Sequence, residues 1–495
     1  MLPPDVAGWI TIESRGESVH SPERRRHSAE VTRKDPEIIS PLGPPDIEMN
    51  ALPCHDGRTS RQQEISLENV PRRHDDNPTA ASVLQSSDQI QTVWEPYKNR
   101  FRVLASCFMA FSNGMNDAAP GALIESIERK YNIDYGTVSI IFVCNAIGFV
   151  AAAFFLSALS RKIGQAKCLG ISEILLIIGY AGLVTTPPFP VVCVAFFFLG
   201  LGMSMNLAIC QVFCANLANN TALLGAYQGA YGIGGTIGPI IATALVSNGY
   251  VWSRYYFILL GIAIFNLAFG PWSFWNHERE SITSLAATLP VATTQSSTKR
   301  KLKSFRVLMS HKPTVLGSLF IFAYQGAEVA ISGWVISFLV QFRHGDPSKV
   351  GYVTSGFWAG ITLGRFTLSF LAHKTGERPF VFAVTVGALI LELLIWFVPS
   401  IIGSSVAVAF SGLLLGPVSP AAIHIFQRLI PREMQISSLS IIGSIGTSGG
   451  AVAPFMTGMI AQHVGTFVLH PICIGLFVCM AATWWIIPKV DKRSE

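Results

Sequence analysis

Charge is scarce in this 495-residue chain: 13% of residues are Asp, Glu, Lys or Arg, against 50% hydrophobic and a mean hydropathy of +0.44. That leaves too little polar surface to cover a soluble fold of this size. Paired cysteine motifs are also missing. The nine cysteines include no CxxC, and eight of them lie in or at the ends of apolar stretches, which argues against a disulfide scaffold and against a metal or redox site. No G-x-x-x-x-G-K-[ST] loop occurs, so no ATP-driven step is expected. Basic residues do not gather in an aromatic-interleaved patch, so nucleic acid is not an expected partner.

What charge there is divides the chain in two. Residues 1–100 hold 12 Lys/Arg and 16 Asp/Glu, and the remainder holds 24 and 14. The first part, with runs such as SPERRRHS and NVPRRHDDNPTAAS, cannot bury enough apolar surface to offset its chain entropy, so 1–97 is expected to be a disordered cytosolic tail. No apolar run follows Met1, which argues against a cleaved signal peptide. The Arg24-Arg25-Arg26-His27-Ser28 patch reads as a kinase site, a lipid-surface contact or a merely solvated stretch.

From Phe101 onward, twelve apolar stretches follow, each long enough to cross a hydrocarbon core of about 30 Å as a helix. Their expected limits are 101–125, 136–158, 168–187, 190–213, 222–247, 251–274, 313–341, 350–372, 379–398, 402–426, 436–461 and 466–488. The runs are continuous and rich in Gly and Ala, as in close-packed membrane helices rather than barrel strands. An even count puts both ends on one side, and loops on that side carry 17 Lys/Arg against five opposite. Both termini are therefore expected in the cytosol, and the Asn219-Asn220-Thr221 sequon is expected to be unmodified.

The stretches also repeat. A shift of 212 residues aligns Gly148 with Gly360, Phe154 with Phe366, Leu156 with Leu368, Lys162 with Lys374, Gly164 with Gly376 and Gly200 with Gly412, without a gap. The expected organisation is an all-α membrane protein of twelve transmembrane helices in two parallel six-helix repeats. Its parts are the tail at 1–97, bundles at 98–275 and 313–488, a cytosolic central loop at 276–312 and a cytosolic C-terminal tail at 489–495.

These halves, with the paired segments SALSRKIGQA (157–166) and SFLAHKTGER (369–378), resemble the major facilitator superfamily, whose corresponding loops read G-x-L-A-D-R-x-G-R-K. By that resemblance Lys162, Gly164, Lys374 and Gly376 are the gating-loop residues. The chain departs from the pattern at Arg161 and His373, which stand where the family has an acid, and at Ser157 and Ser369 in place of the leading Gly. Tyr324-Gln325-Gly326-Ala327-Glu328, continuing to Trp334, resembles the seventh helix of fucose–proton-symporter-like facilitators and their fungal relatives.

In such a fold the solute site lies near the membrane midplane between the repeats, so deep polar residues are the candidates. Asp117, Glu173, Glu328 and Glu392 fall well within spans, each costing about 2.5–3.5 kcal/mol at a helix centre, which makes an idle one improbable. The repeat sets Asn113-Gly114-Met115-Asn116 opposite Gln325-Gly326-Ala327-Glu328. A partly dry cavity favours a neutral carboxyl, so Glu328, assisted by Asp117, is expected to carry protons; a structural pairing with Arg365 is the alternative. Asn113, Asn116, Gln211, Tyr227, Tyr324, Gln325, Trp334 and His424, together with Gln228 and Tyr231, are candidate solute contacts, with ordinary helix packing open for each. By the same resemblance Glu173 and Glu392 stand on peripheral helices, so a partnered structural role, or for Glu173 a snorkelling one near its helix start, is expected ahead of a functional one.

The expected function is secondary active transport of a small organic molecule by alternating access, with proton coupling, no cofactor, no metal and no catalysis, by a monomer in the plasma membrane. Efflux of a metabolite or toxic compound is favoured by Gly234-xxx-Gly238-Pro239, which is similar to the motif of proton-antiporting facilitators. Proton-linked uptake of a sugar-like solute is the second reading, and a non-transporting sensor on the same fold the third.

Overall fold

A computed structural model describes residues 91–277 and 311–488. Most of the expected tail, the central loop from 278 to 310 and residues 489–495 lie outside the described residues, so the expectations placed there stay expectations. Residues 91–98 are folded against the body: the Gln91 carbonyl accepts from Ala218 N at 2.8 Å, and the Asn99 side chain donates to the Thr92 carbonyl at 2.8 Å. The body thus begins ahead of the expected boundary at 97, because these turns find partners in the loop after the fourth span.

The spanning helices are α1 (Asn99–Tyr131), α2 (Ile140–Ile163, preceded by a turn at Tyr135–Val138), α3 (Gln165–Val184), α4 (Phe189–Ala215), α5 (Asn220–Ser247) and α6 (Tyr255–Phe274). They continue as α7 (Lys312–Ser337, prolonged by a π-helical turn at Phe338–Phe342), α8 (Val353–Thr375), α9 (Glu377–Phe397), α10, in two segments (Ile401–Leu415 and Val418–Leu429), α11 (Arg432–Val464) and α12 (Leu469–Ile486). Among the described residues no strand is present. Among the described residues nine helices carry a stretch apolar enough to span by itself, while α1, α8 and α11 do not. Some of their polar groups, among them Asn116, Asp117, Arg365 and Thr447, point into the space between the halves. On the outside, Phe154, Ile402 and Trp485 are at least 74% exposed, as lipid-facing side chains are.

The repeat seen in the sequence is also a repeat of contacts. Gly148 of α2 lies against the backbone of Phe197 and Leu201 in α4; Gly360 of α8 lies against Ala409 and Leu413 in α10, each number larger by 212. A Cβ at either glycine would come within 2.8 Å of the facing leucine nitrogen, so only glycine permits this approach. In the later helices the offset grows to 215, pairing Gly234 with Gly449 and Pro239 with Pro454. Gly234 packs on Phe111 and Met115 of α1, and Gly449 packs on Phe322 of α7. Helices α1 with α5, and α7 with α11, therefore form equivalent pairs, and the halves meet through α5 against α8, α2 against α11 and α1 against α7. Gly164 and Gly376, the matched loop glycines, adopt φ of 93° and 92°, left-handed values that suit a residue without a Cβ at the turns into α3 and α9.

Candidate functional site

The less apolar helices surround a cavity of about 260 Å³ between the halves. Its wall takes Asn116 and Asp117 from α1, Gln228 and Tyr231 from α5, and Gln325 and Glu328 from α7. Trp358 and Arg365 of α8 complete the polar side, and Asn145, Phe142 and Phe149 of α2 face them. Helices α3, α6, α9 and α12 contribute nothing to it. The repeat operates here too: Asn116 and Glu328, Asp117 and Val329, and Pro120 and Ser332 are wall positions 212 residues apart.

Two polar chains cross the cavity from one half to the other. In the first, an Arg365 nitrogen lies 3.7 Å from Glu328 Oε1, and the same guanidinium donates to Gln228 Oε1 at 3.3 Å. The buried Tyr324 hydroxyl lies beside this pair. In the second, the Tyr231 hydroxyl donates to Asp117, the Tyr231 ring stands 5.9 Å from that of Trp358, and the Trp358 indole donates to Ser332 Oγ at 2.8 Å. Asn116 and Asn145 line the cavity, and their Oδ1 atoms are buried with no hydrogen-bond partner among the described residues.

Of the residues singled out in the sequence, Asp117, Glu328, Arg365, Asn116 and Gln325 meet at this cavity, as do Gln228 and Tyr231. Six expected solute contacts stand elsewhere. Asn113 is fully buried and donates to Asn206 Oδ1 at 2.7 Å. Gln211 is exposed on α4. Tyr227 is enclosed between α4 and α5, its hydroxyl 3.5 Å from the Leu207 carbonyl. Tyr324 sits behind the ion pair rather than on the wall. Trp334 donates to the Pro454 carbonyl at 2.9 Å, and its ring meets Tyr135 edge-on. His424 contacts Glu377 at 2.6 Å near the loop end of α10. Lys162 is exposed, and the Lys374 ammonium lies 4.6 Å above the Phe370 ring. Trp358, Asn145 and Ser332 were not anticipated, although folding the repeat onto itself would have found Ser332 from Pro120.

The other deep acids are away from the cavity and partnered. Glu392 meets His470 at 2.7 Å between α9 and α12, both buried. Glu173 accepts from Asn206 Nδ2 at 3.0 Å, and Asn206 in turn accepts from Asn113, so one amide joins α3, α4 and α1. An Asn206→Leu substitution removes both bonds and leaves buried polar groups unmatched, at about 1–3 kcal/mol. The expected result is a melting temperature lowered by a few degrees in purified protein; an unchanged value would show that the amide does not brace the half.

Among the described residues, twelve long helices in two matched halves around a polar, charged cavity have the architecture of a membrane carrier. The Major Facilitator Superfamily profile matches residues 106–454. The chain belongs to that superfamily: it is a multi-pass membrane transporter and not an enzyme. It is 25% identical over 476 residues to "Bypass of stop codon protein 6" of Saccharomyces cerevisiae, covering 90% of this chain and 94% of that one. It is 26% identical over 276 residues to the nitrite extrusion protein of Bacillus subtilis, covering 53% and 64%. Solved structures sharing the fold include the nucleoside transporter NupG, with a TM-score of 0.62 at 12% identity and coverage of 78% and 99%. A D-xylose–proton symporter matches with a TM-score of 0.62 at 13% identity and coverage of 79% and 99%.

Proposed function

We propose that the protein is a proton-coupled carrier of a small, hydrogen-bonding organic solute, working by alternating access of its two halves to the cavity. The observation that carries this is the charge balance of the wall. Two carboxylates, Asp117 and Glu328, face one guanidinium, Arg365, which leaves one negative charge in excess. In a poorly solvated cavity an unmatched charge is costly, and one proton removes it. Glu328 is the acceptor we assign, since its bond to Arg365 reaches across to Gln228 of the other half, and Asp117 shares the excess. Proton occupancy therefore alters contacts between the halves, as coupling requires.

The wall also suits a polar solute. The carboxamides of Asn116, Asn145, Gln228 and Gln325 offer donors and acceptors, and Trp358 offers an aromatic face, as a sugar-like molecule would use. Export is the second reading. The glycines of Gly234-xxx-Gly238-Pro239 that favour it pack on Met115 of α1 and are not part of the cavity wall, so they carry no information on the solute itself. The 17-to-5 bias of Lys and Arg supports a cytosolic position for both chain ends; a plasma-membrane setting and a monomeric state belong to the same reading.

The test is a solute panel offered to proteoliposomes under an imposed proton gradient. A solute should accumulate against its gradient, and Glu328→Gln should abolish accumulation while leaving solute exchange within about threefold of wild type. Equal accumulation by wild type and Glu328→Gln would remove the proton from the mechanism.

A further inference from the structure

The side of the bundle carrying residues 91 and 488 is the terminal side, and the opposite side is the distal side. The halves are in contact on the distal side. Gly458 of α11 rests on Ser139 and Trp334, Trp334 donates to the Pro454 carbonyl, and the Tyr135 ring meets Trp334 edge-on with centroids 5.4 Å apart. One side chain joins these contacts to α1. Glu125 takes the Tyr135 hydroxyl on Oε1 at 3.0 Å and the Gln341 side-chain amide on Oε2 at 3.2 Å. Gln341 belongs to the π-helical turn that prolongs α7, so this second bond runs from one half of the protein to the other. Tyr135 belongs to the same half as Glu125 but leans on Trp334 of the other. Both oxygens of one carboxylate therefore end on distal contacts between the halves.

The placement suits a bond that must break in every cycle. With 33 residues, α1 is about 50 Å long, well beyond a hydrocarbon core of about 30 Å, and Glu125 lies on its distal extension. A half-buried carboxylate there makes charge-assisted hydrogen bonds that water can replace, unlike the apolar packing around it. A carboxylate accepts from both partners with the help of its charge, whereas a neutral amide at this position would accept from Tyr135 and meet Gln341 only in an uncharged amide–amide contact.

We propose that Glu125 is a positioning residue of the transport cycle, its carboxylate holding the distal mouth shut by bridging the halves through Gln341 and through Tyr135. The inference rests on the alternating access proposed above, but its test involves no solute and no proton gradient, so its failure is separable from that of the coupling mechanism.

The experiment measures distances between spin labels carried on incorporated p-acetylphenylalanine in purified full-length protein. One pair, at Tyr250 and Ile402, reports the distal side, and another, at Arg161 and Thr375, reports the terminal side; all four positions are exposed. Glu125→Gln and Gln341→Leu should each raise the ratio of distally open to distally closed molecules roughly tenfold, the scale of one charge-assisted hydrogen bond. The distal distance should lengthen as the terminal distance shortens. The exchanged pair, Glu125→Gln with Gln341→Glu, should restore the wild-type ratio, since a glutamine at 125 can still accept from Tyr135 while its amide donates to a carboxylate at 341. Unchanged distances in both single variants would overturn the proposal. So would a failure of the exchanged pair to restore them, or broadening at both ends together, which would mark Glu125 as a general support of the fold.

Discussion

Arg365→Met is expected to cost about 3–5 kcal/mol of stability and to cut transport at least a hundredfold, because it strands Glu328 with no cation beside it. The Glu328 side chain is 5% exposed and that of Arg365 17%, so the pair is largely shielded from bulk water. The same change removes the donor to Gln228, which links α8 to α5 across the halves. Removing both charges, as Arg365→Met with Glu328→Gln, should recover most of the stability but not the transport, since two neutral groups of similar volume pack without an uncompensated charge. Thermal unfolding in detergent and flux in proteoliposomes measure the two effects separately. If the single variant melts with the wild type, the 3.7 Å contact is an incidental approach and not a pair that the fold depends on.

Gly148→Val and Gly360→Val should both prevent recovery of folded protein. The new Cβ would overlap the backbone of the facing helix in each case, 2.8 Å from the nitrogens of Leu201 and Leu413, and backbone cannot rotate aside as a side chain can. Overpacking costs of about 1–3 kcal/mol are therefore a lower bound, and the branched side chain adds further overlap. Gly261→Val and Gly475→Val provide the contrast, since no atom lies within 4 Å of a Cβ at either site. The comparison is read from monodisperse yield on size exclusion. Equal yields from the two sets would show that the α2–α4 and α8–α10 approaches are looser than the structure has them.

The fold was legible because membrane crossing demands long apolar runs, and because duplication left a constant offset that sequence alone can detect. The bend in α10 at Gly416-Pro417 was not foreseen: both residues fall inside a continuous apolar run, which hid the break. The charged part of the site was legible for a different reason. Acids inside spans are rare, so Asp117 and Glu328 stood out, and Arg365 with them. The neutral part was not, because hydropathy ranks residues without saying which way a helix turns them. Gln211 and His424 are near-equivalents in the repeat, but equivalence relates positions by symmetry and does not make either face the cavity. Trp334 was a candidate for its aromatic face and its indole N–H, yet that N–H is satisfied by the Pro454 carbonyl. Trp358 carried no polar neighbour in sequence and was passed over, although it supplies the aromatic face of the wall.

The shortage of apolar length in α1, α8 and α11 bears on how the chain is made. Leaving a translocation channel, a segment partitions into lipid according to its own hydrophobicity, and charged residues near its centre oppose that step. Helix α1 comes first among the described spans, and α5, which covers its polar face, begins only at Asn220. Retention of the early helices beside the channel until α5 has emerged is the expected outcome. Any substitution that makes α1 greasier should ease its entry into the bilayer while weakening the polar interior that the mature carrier uses.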